Sequence, residues 1–489
     1  MADYRDFPNV LLVFCDQLRP HALASYGGPV PTPNLDRVAG EGVRFSQAYC
    51  TYPMCTPARA ALLTGRFCHA LRDQQDYPYL YNNQLLDLDA PTFAKTLTAA
   101  GYNCSYIGKW HTDDAKYGKF IPRGPRRQGF DDEFYGLQCF SDITNPWHFS
   151  DDGQEKIQGT KSWEPDHQTD LAEDYLRRAA ERRQREGTPF CLTISYNPPH
   201  GPTDLPSERQ HLLQTAREYI KETRPNVPGY NSETASATAT NLYEEALESY
   251  VRYHANVMGI DECVGRLLSV LEHTELRDNT LVIFTADHGD DLLSHGCTGK
   301  NQFYEEAALI PLLINFPGQI SEGRETSEFV NIVDLAPTIL DFCGVQPDER
   351  VQGHSLKPLL TGETEKGPNS SAYLEVDHPW WDYIFGQGPQ GTRRCIVTAD
   401  WKLVLITTGG GGTGGAVPHQ LFNRKEDPYE TENLVNDPAH YQVISELGRH
   451  MLAWMYDTED PFLWTTLRGR PEDSIEKIGK RLSLSYADE

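Results

Sequence analysis

Apolar residues in this chain gather in short unbroken runs rather than in alternation, and each run stops at a polar cluster. Asn9-Val10-Leu11-Leu12-Val13-Phe14-Cys15 ends at Asp16-Gln17, and Leu281-Val282-Ile283-Phe284-Thr285-Ala286 ends at Asp287-His288-Gly289. Residues 104–108 lead into Lys109-Trp110-His111, and residues 190–195 lead to Asn197-Pro198-Pro199-His200. Runs of this kind suit parallel strands covered on both faces. Helical patterns lie between them, over residues 90–100, 170–185 and 243–273. The alternation predicts an α/β fold built on a large, mostly parallel sheet flanked by helices. Ligands of such sheets bind beyond the carboxyl ends of the strands, so the four polar clusters are expected on one rim. A single Asp or His at a strand end is ordinarily a turn former or a structural residue. Four clusters on one predicted edge call for another explanation.

The rest of the chain adds smaller features. Residues 301–315 read as a helical turn followed by another strand, and residues 331–343 as a helix with one apolar face. After about Gln387 the pattern changes. Residues 394–406 predict two short strands around Trp401-Lys402, and residues 444–455 predict a helix. The glycine run 409–415 lacks phosphate-loop spacing and reads as a connection. The expected organisation is an α/β domain over residues 1–387 and a smaller α+β subdomain with a short antiparallel sheet over 388–489. Residues 138–163 are irregular and rich in rings (Phe140, Trp147, His148, Phe149, Trp163), and a second group follows at His378-Pro379-Trp380-Trp381-Asp382-Tyr383. Long loops of this type either line a pocket for ring-bearing substrates or pack against the core.

Composition narrows the classes. A hydrophobic content of 39% with 11% aromatics is that of a globular chain. No apolar run reaches the roughly 18 residues that a spanning helix needs. The first seven residues carry neither a basic nor an apolar leader segment, so the expectation is a cytoplasmic protein without a membrane partner. Eleven cysteines, an odd number without a Cys-x-x-Cys pair, do not form a disulfide framework in so large a chain. Seventy acidic residues against 44 basic ones give a net charge of −26, which disfavours nucleic acid as a partner. Any site for an anion must therefore be locally basic. Arg123-Gly124-Pro125-Arg126-Arg127 is one dense basic cluster, suited either to drawing in an anion or to pairing with acids.

The most informative stretch is Cys55-Thr56-Pro57-Ala58-Arg59-Ala60-Ala61-Leu62-Leu63-Thr64-Gly65-Arg66. Its Ala/Leu-rich run predicts a helix, with Pro57 in the first turn where a missing N–H removes no hydrogen bond. Cys55 then stands at the helix N-terminus, which favours an anion, and Arg59 one turn further in projects its donors toward the same point. The stretch resembles the sulfatase signature, Cys-x-Pro-x-Arg followed by Leu-Thr-Gly-Arg. The resemblance extends to each strand-end cluster: Asp16, Gly108-Lys109-Trp110-His111, Pro199-His200-Gly201-Pro202, and Asp287-His288-Gly289 followed by Lys300. It also covers residues 253–268, 301–315 and 352–360 and the tail from Leu421-Phe422-Asn423 to Asn433-Leu434. The chain thus resembles the type I, formylglycine-dependent sulfatases of the alkaline phosphatase superfamily.

That resemblance implies a specific chemistry. Cys55 would be oxidised to formylglycine by a maturation enzyme, and one divalent cation would be held by Asp16, Gln17, Asp287, His288 and residue 55. Carboxylate oxygens suit Ca²⁺, the family default, whereas Gln17 in place of a common Asp and His288 in place of a common Asn shift preference toward Mn²⁺ or a similar metal. In the implied reaction a hydroxyl of hydrated formylglycine attacks the sulfate sulfur, and the second hydroxyl gives its proton to His111 as sulfate departs. His200 or Lys300 would protonate the leaving alcohol, and Arg59 and Lys109 would hold the diol and neutralise charge. The implied activity is release of inorganic sulfate from a small-molecule or saccharide sulfate ester. Two alternatives stand beside it: a phosphonate monoester or phosphodiester hydrolase of the same superfamily, and an inactive relative that binds sulfated ligands.

Overall fold

A computed structural model describes residues 7–71, 80, 84–114, 116–139, 141–228, 237–377, 391–407 and 416–462. Phe140, residues 378–383 and the glycine run 409–415 lie outside the described residues. The main sheet has eight strands: β1 (Asn9–Asp16), β2 (Val43–Phe45), β3 (Asn103–Lys109), β4 (Phe134–Leu137), β5 (Phe190–Pro199), β6 (Thr280–Ala286), β7 (Leu312–Asn315) and β8 (Arg324–Thr326). Their spatial order is β8-β2-β7-β6-β1-β5-β3-β4. The run β6-β1-β5-β3-β4 is parallel throughout, and β7 is antiparallel to both neighbours. The four expected strands are therefore adjacent and point the same way. Every residue of β1, β5 and β6 is buried, which is why their sequences show no polar alternation.

Helices cover both faces. Among them are α1 (Cys55–Thr64), α2 (Phe93–Ala99), α3 (Glu164–Glu186), α4 (Ala237–His273), α5 (Leu335–Phe342) and α6 (Tyr441–Asp457). The Tyr196 hydroxyl on β5 lies 2.7 Å from Thr169 of α3. Cys104, paired in register with Cys191 of β5, places its sulfur 3.5 Å from the Ala94 carbonyl oxygen of α2. Residues 191 and 196 are an odd number apart on one strand, so α3 and α2 lie on opposite faces. The second helix is shorter than its sequence pattern suggests, because Thr92 caps it, accepting from the Lys95 N–H at 3.4 Å, and Pro91 falls before the cap.

A second sheet is an antiparallel meander of β9 (Ala372–Val376), β10 (Arg393–Val397), β11 (Trp401–Thr407) and β12 (Ala416–Asn423), against which α6 packs. Trp401-Lys402 opens β11 instead of forming the turn, which falls at residues 398–400. Buried ions tie this sheet to the main body. Lys402 lies 2.7 Å from Glu305 and 2.5 Å from Glu430, and His69 lies 2.7 Å from Glu375. Arg394 engages Asp377 at 2.6 Å and Asp460 at 2.5 Å. Fully buried charges require partners of this kind.

Candidate active site

The carboxyl ends of β1, β3, β5 and β6 converge on the N-terminus of α1. Every residue of this helix is buried. It stops at Gly65, whose φ of 66° is left-handed and whose N–H bonds to the Ala61 carbonyl. A Cβ there would also lie 2.9 Å from Val351.

Arg59 is the hub of the site. Its Nε donates to Asp287 Oδ2 and one Nη to Asp16 Oδ2, both at 2.9 Å. The other Nη donates to the Lys109 carbonyl at 2.6 Å and to the Ser195 hydroxyl at 2.7 Å. One guanidinium thus joins the ends of four strands, a use of its planar fork that lysine cannot reproduce. The close approach of β3 to β5 depends on Gly108, where a Cβ would fall 2.1 Å from the Ser195 carbonyl oxygen.

Around Cys55 the ligand-type and cationic atoms are within direct reach. The Lys300 ammonium donates to its sulfur at 3.0 Å, His288 Nε2 lies at 3.4 Å and Asp16 Oδ1 at 3.7 Å. The Lys109 ammonium is 4.0 Å from the sulfur and 2.7 Å from Asp16 Oδ2. Burial opposes ionisation of Asp16, yet Lys109, His200, Lys300 and Arg59 hold its carboxyl well below the usual carboxylate range. Asp287 moves the other way, raised first by burial and then by the neighbouring Asp16 charge. Burial and Asp16 push the Cys55 thiol up, but Lys109, Lys300 and the His288 hydrogen bond carry it well below its ordinary value. The site is the locally basic pocket that an acidic chain needs if it is to receive an anion.

Both histidines reach the same rim. His111, two residues beyond β3, has a φ of 54°, and its carbonyl accepts from the Thr56 hydroxyl at 2.6 Å. Burial, Lys109 and Arg59 hold its ring neutral. His200 is half-buried, with Nδ1 2.7 Å from the Gly201 carbonyl, and its backbone N–H donates to the Asp16 carbonyl at 3.2 Å. Burial, then Lys300 and Lys109, push its pKa down to about 3.

The structure therefore brings together all ten residues named from the sequence. Among the Asp, Glu, His and Cys side chains of the described residues, ligand atoms of Asp16, Cys55, Asp287 and His288 lie here within 4.8 Å of one another. The Gln17 amide oxygen accepts from Lys300 at 2.9 Å. His288 Nδ1 is 2.8 Å from the Gly289 carbonyl oxygen, which fixes that nitrogen as an N–H and leaves Nε2 facing the site, where it donates to the Cys55 sulfur when protonated and would offer a lone pair to a cation once deprotonated. Two carboxylates, one such imidazole and the side chain at position 55 fit a hard or borderline divalent cation. Among the described residues two other groups of potential ligands, His69-Glu375-Asp460 and His295-Glu306-Glu430, are neutralised by Arg394 and by Arg224 and Lys402.

Sequence reading misses several supporting residues. Ser195 reads only as the end of an apolar run, although a hydroxyl in a wholly buried strand is a signal in itself. Thr56 occupies a variable position of the motif, and Asp290 follows Asp287 by three. The arginine cluster is resolved in favour of pairing: Arg126 binds Asp113 and Asp114, and Arg123 and Arg127 bind Asp151 at 2.7 and 3.0 Å. The described aromatics divide. Trp163 is buried in the core under Arg209, whereas Trp147 and Phe149 sit on a hairpin with the Lys156 ammonium 3.7 Å above the Trp147 ring.

Comparison with known proteins agrees with this arrangement. Residues 8–345 match the sulfatase family model, and residues 294–456 match the model of the N-sulphoglucosamine sulphohydrolase C-terminal region. An uncharacterized sulfatase, YidJ of Escherichia coli K12, is 30% identical over 472 residues, covering 93% of this chain and 88% of that protein. An endo-4-O-sulfatase of Bacteroides thetaiotaomicron is 28% identical, with 94% of each chain covered. A solved structure in complex with its substrate D-glucosamine-2-N,6-O-disulfate superimposes with a TM-score of 0.74 at 25% identity, covering 93% of this chain and 99% of the other. With the family model spanning most of the chain and the rim complete, this protein belongs to the sulfatase family of the alkaline phosphatase superfamily and is a hydrolase of sulfate esters.

Proposed function

We propose that the protein releases inorganic sulfate from a saccharide sulfate ester, using formylglycine at position 55 and one divalent cation. The observation that carries this reading is the convergence of Arg59, Lys109, Lys300, His288 and two carboxylates on the Cys55 side chain. The sulfur of Cys55 marks the place of the formylglycine oxygen. Asp16, Asp287, His288 and residue 55 would hold the cation, with Ca²⁺ the family default and His288 favouring Mn²⁺. Formylglycine and the cation together would supply an activated oxygen nucleophile.

The chain's own residues then have distinct tasks. Lys109 and Arg59 hold Asp16 and offset negative charge on the transferred group. Lys300, whose ammonium already reaches residue 55, is the group able to give a proton to the departing alcohol, whereas His200, neutral with its Nδ1–H on the Gly201 carbonyl, can do so only after taking up a proton. His111, held neutral and buried, can accept one. The saccharide assignment is supported by the substrate seen with one relative and by the activity for which another is named.

The test is turnover of an aryl sulfate, sulfated glucosamines and an aryl phosphonate monoester by the protein matured with a formylglycine-generating enzyme. Sulfate release that disappears in Cys55→Ala, together with an aldehyde at residue 55 by peptide mass, supports the reading. A large preference for the phosphonate, or unchanged hydrolysis in Cys55→Ala, overturns it.

A further inference from the structure

We propose that Gln17 and Asp290 are positioning residues that hold the Lys300 ammonium on residue 55, and that Gln17 is not a metal ligand. The inference rests on the function proposed above for residue 55 and Lys300. Every polar group of Gln17 is committed. Its backbone N–H donates to Asp287 Oδ1 at 3.0 Å, and its carbonyl accepts from the Tyr253 hydroxyl at 2.7 Å. Its side-chain Oε1 accepts from Lys300 Nζ at 2.9 Å, and its Nε2 donates to Asp290 Oδ2 at 2.6 Å. The backbone bonds keep residue 17 at a φ of 68°, a conformation a non-glycine residue adopts only when its surroundings compel it.

The two neighbours also fix which way the amide faces. Turned over, it would set NH₂ against an ammonium and oxygen against a carboxylate, losing both hydrogen bonds. Asp290 is itself anchored, because its Oδ1 accepts from the Leu292 N–H at 2.9 Å. Lysine has a flexible four-carbon stem with no geometry of its own, so its ammonium needs a fixed acceptor to stay in place. A neutral amide oxygen provides one without setting a second negative charge against Asp290. Asp290 thus explains why residue 17 is an amide: a carboxylate there would face another carboxylate at hydrogen-bonding distance.

The test is a cycle of Gln17→Glu, Asp290→Asn and the double variant, with Gln17→Ala as a control, all in the matured full-length protein. In the double variant the amide introduced at position 290 can donate to the carboxylate introduced at position 17, whose second oxygen still accepts from Lys300. Each single variant is expected to lose about a hundredfold in kcat with KM little changed, as for a misplacement of about 1 Å. The double variant should recover to within about tenfold of wild type. Gln17→Ala should lower kcat while Ca²⁺ and Mn²⁺ affinities, titrated calorimetrically, stay unchanged. Crystal structures of the single variants should show Lys300 Nζ moved off residue 55, and that of the double variant should show it returned. Wild-type kcat in either single variant, a double variant no better than the worse single, a drop in metal affinity of about tenfold or more in Gln17→Ala, or an unmoved Lys300 would each overturn the proposal. If the wild-type protein hydrolyses no sulfate ester, the function fails instead, and the position of Lys300 in the variants still decides the role of Gln17 and Asp290.

Discussion

Lys300 sets its ammonium 3.0 Å from the sulfur of Cys55, although 245 positions separate the two in the chain. Burial disfavours that charge, but Cys55 and Asp16 raise the affinity of Lys300 for its proton above the ordinary lysine value. The pair places a proton donor on the reacting residue.

Lys300→Ala should lower kcat by about 10²- to 10⁴-fold, the range for a general acid. If Lys300 serves the leaving oxygen, the loss should shrink for aryl sulfates whose phenols are strong acids, since those depart without protonation. A series of substituted phenyl sulfates measures this, and a loss independent of the leaving group would assign the proton to another residue.

Arg59→Ala should destabilise the metal-free protein by about 3–5 kcal/mol, because it strips Asp16 and Asp287 of a buried partner. A bound divalent cation would take over part of that neutralisation. Thermal unfolding with and without a chelator should therefore show a larger penalty with the chelator present.

His288→Asn should shift the relative affinity of the site toward Ca²⁺ and away from Mn²⁺, since it replaces an imidazole nitrogen by an amide oxygen. Titration of the apo variant with each ion under chelator-buffered conditions reads the ratio directly. An unchanged ratio would show that His288 does not touch the ion.

His69 supplies a pH dependence remote from the chemistry. Burial lowers its proton affinity, but Glu375 and then Asp460 override burial and raise its pKa from 6.5 to about 9. Because the folded pKa lies above the unfolded one, this stabilisation is complete below pH 6.5 and is lost as pH rises through about 9. The shift corresponds to about 3 kcal/mol. Chemical denaturation across that window should show stability falling with pH in the wild type and a flatter profile in His69→Gln.

Much of the fold was legible because burial on both faces writes itself into local composition. The runs at 9–15, 104–108, 190–195 and 281–286 became the four adjacent parallel strands, and their polar ends became one rim. Errors fell where local pattern competes with a turn or cap, as at Thr92 and at Trp401-Lys402. The arginines at 123–127 carried an ambiguity that composition cannot resolve, since a basic cluster has the same sequence whether it faces solvent or Asp113 and Asp151.

By itself the sequence determined the sheet, the helix that begins at Cys55, and the identity of the groups on the rim. Strand burial and helix capping act over a few neighbouring residues, and the motif from Cys55 to Arg66 is contiguous. Only the tertiary structure decided how those groups are shared. Arg59 bridges Asp16 and Asp287, and Gln17 links Lys300 to Asp290 through its amide. These contacts join residues brought close by strand order and by backbone angles such as the 68° φ at Gln17, and hydrogen-bond direction between them has no local trace in the chain.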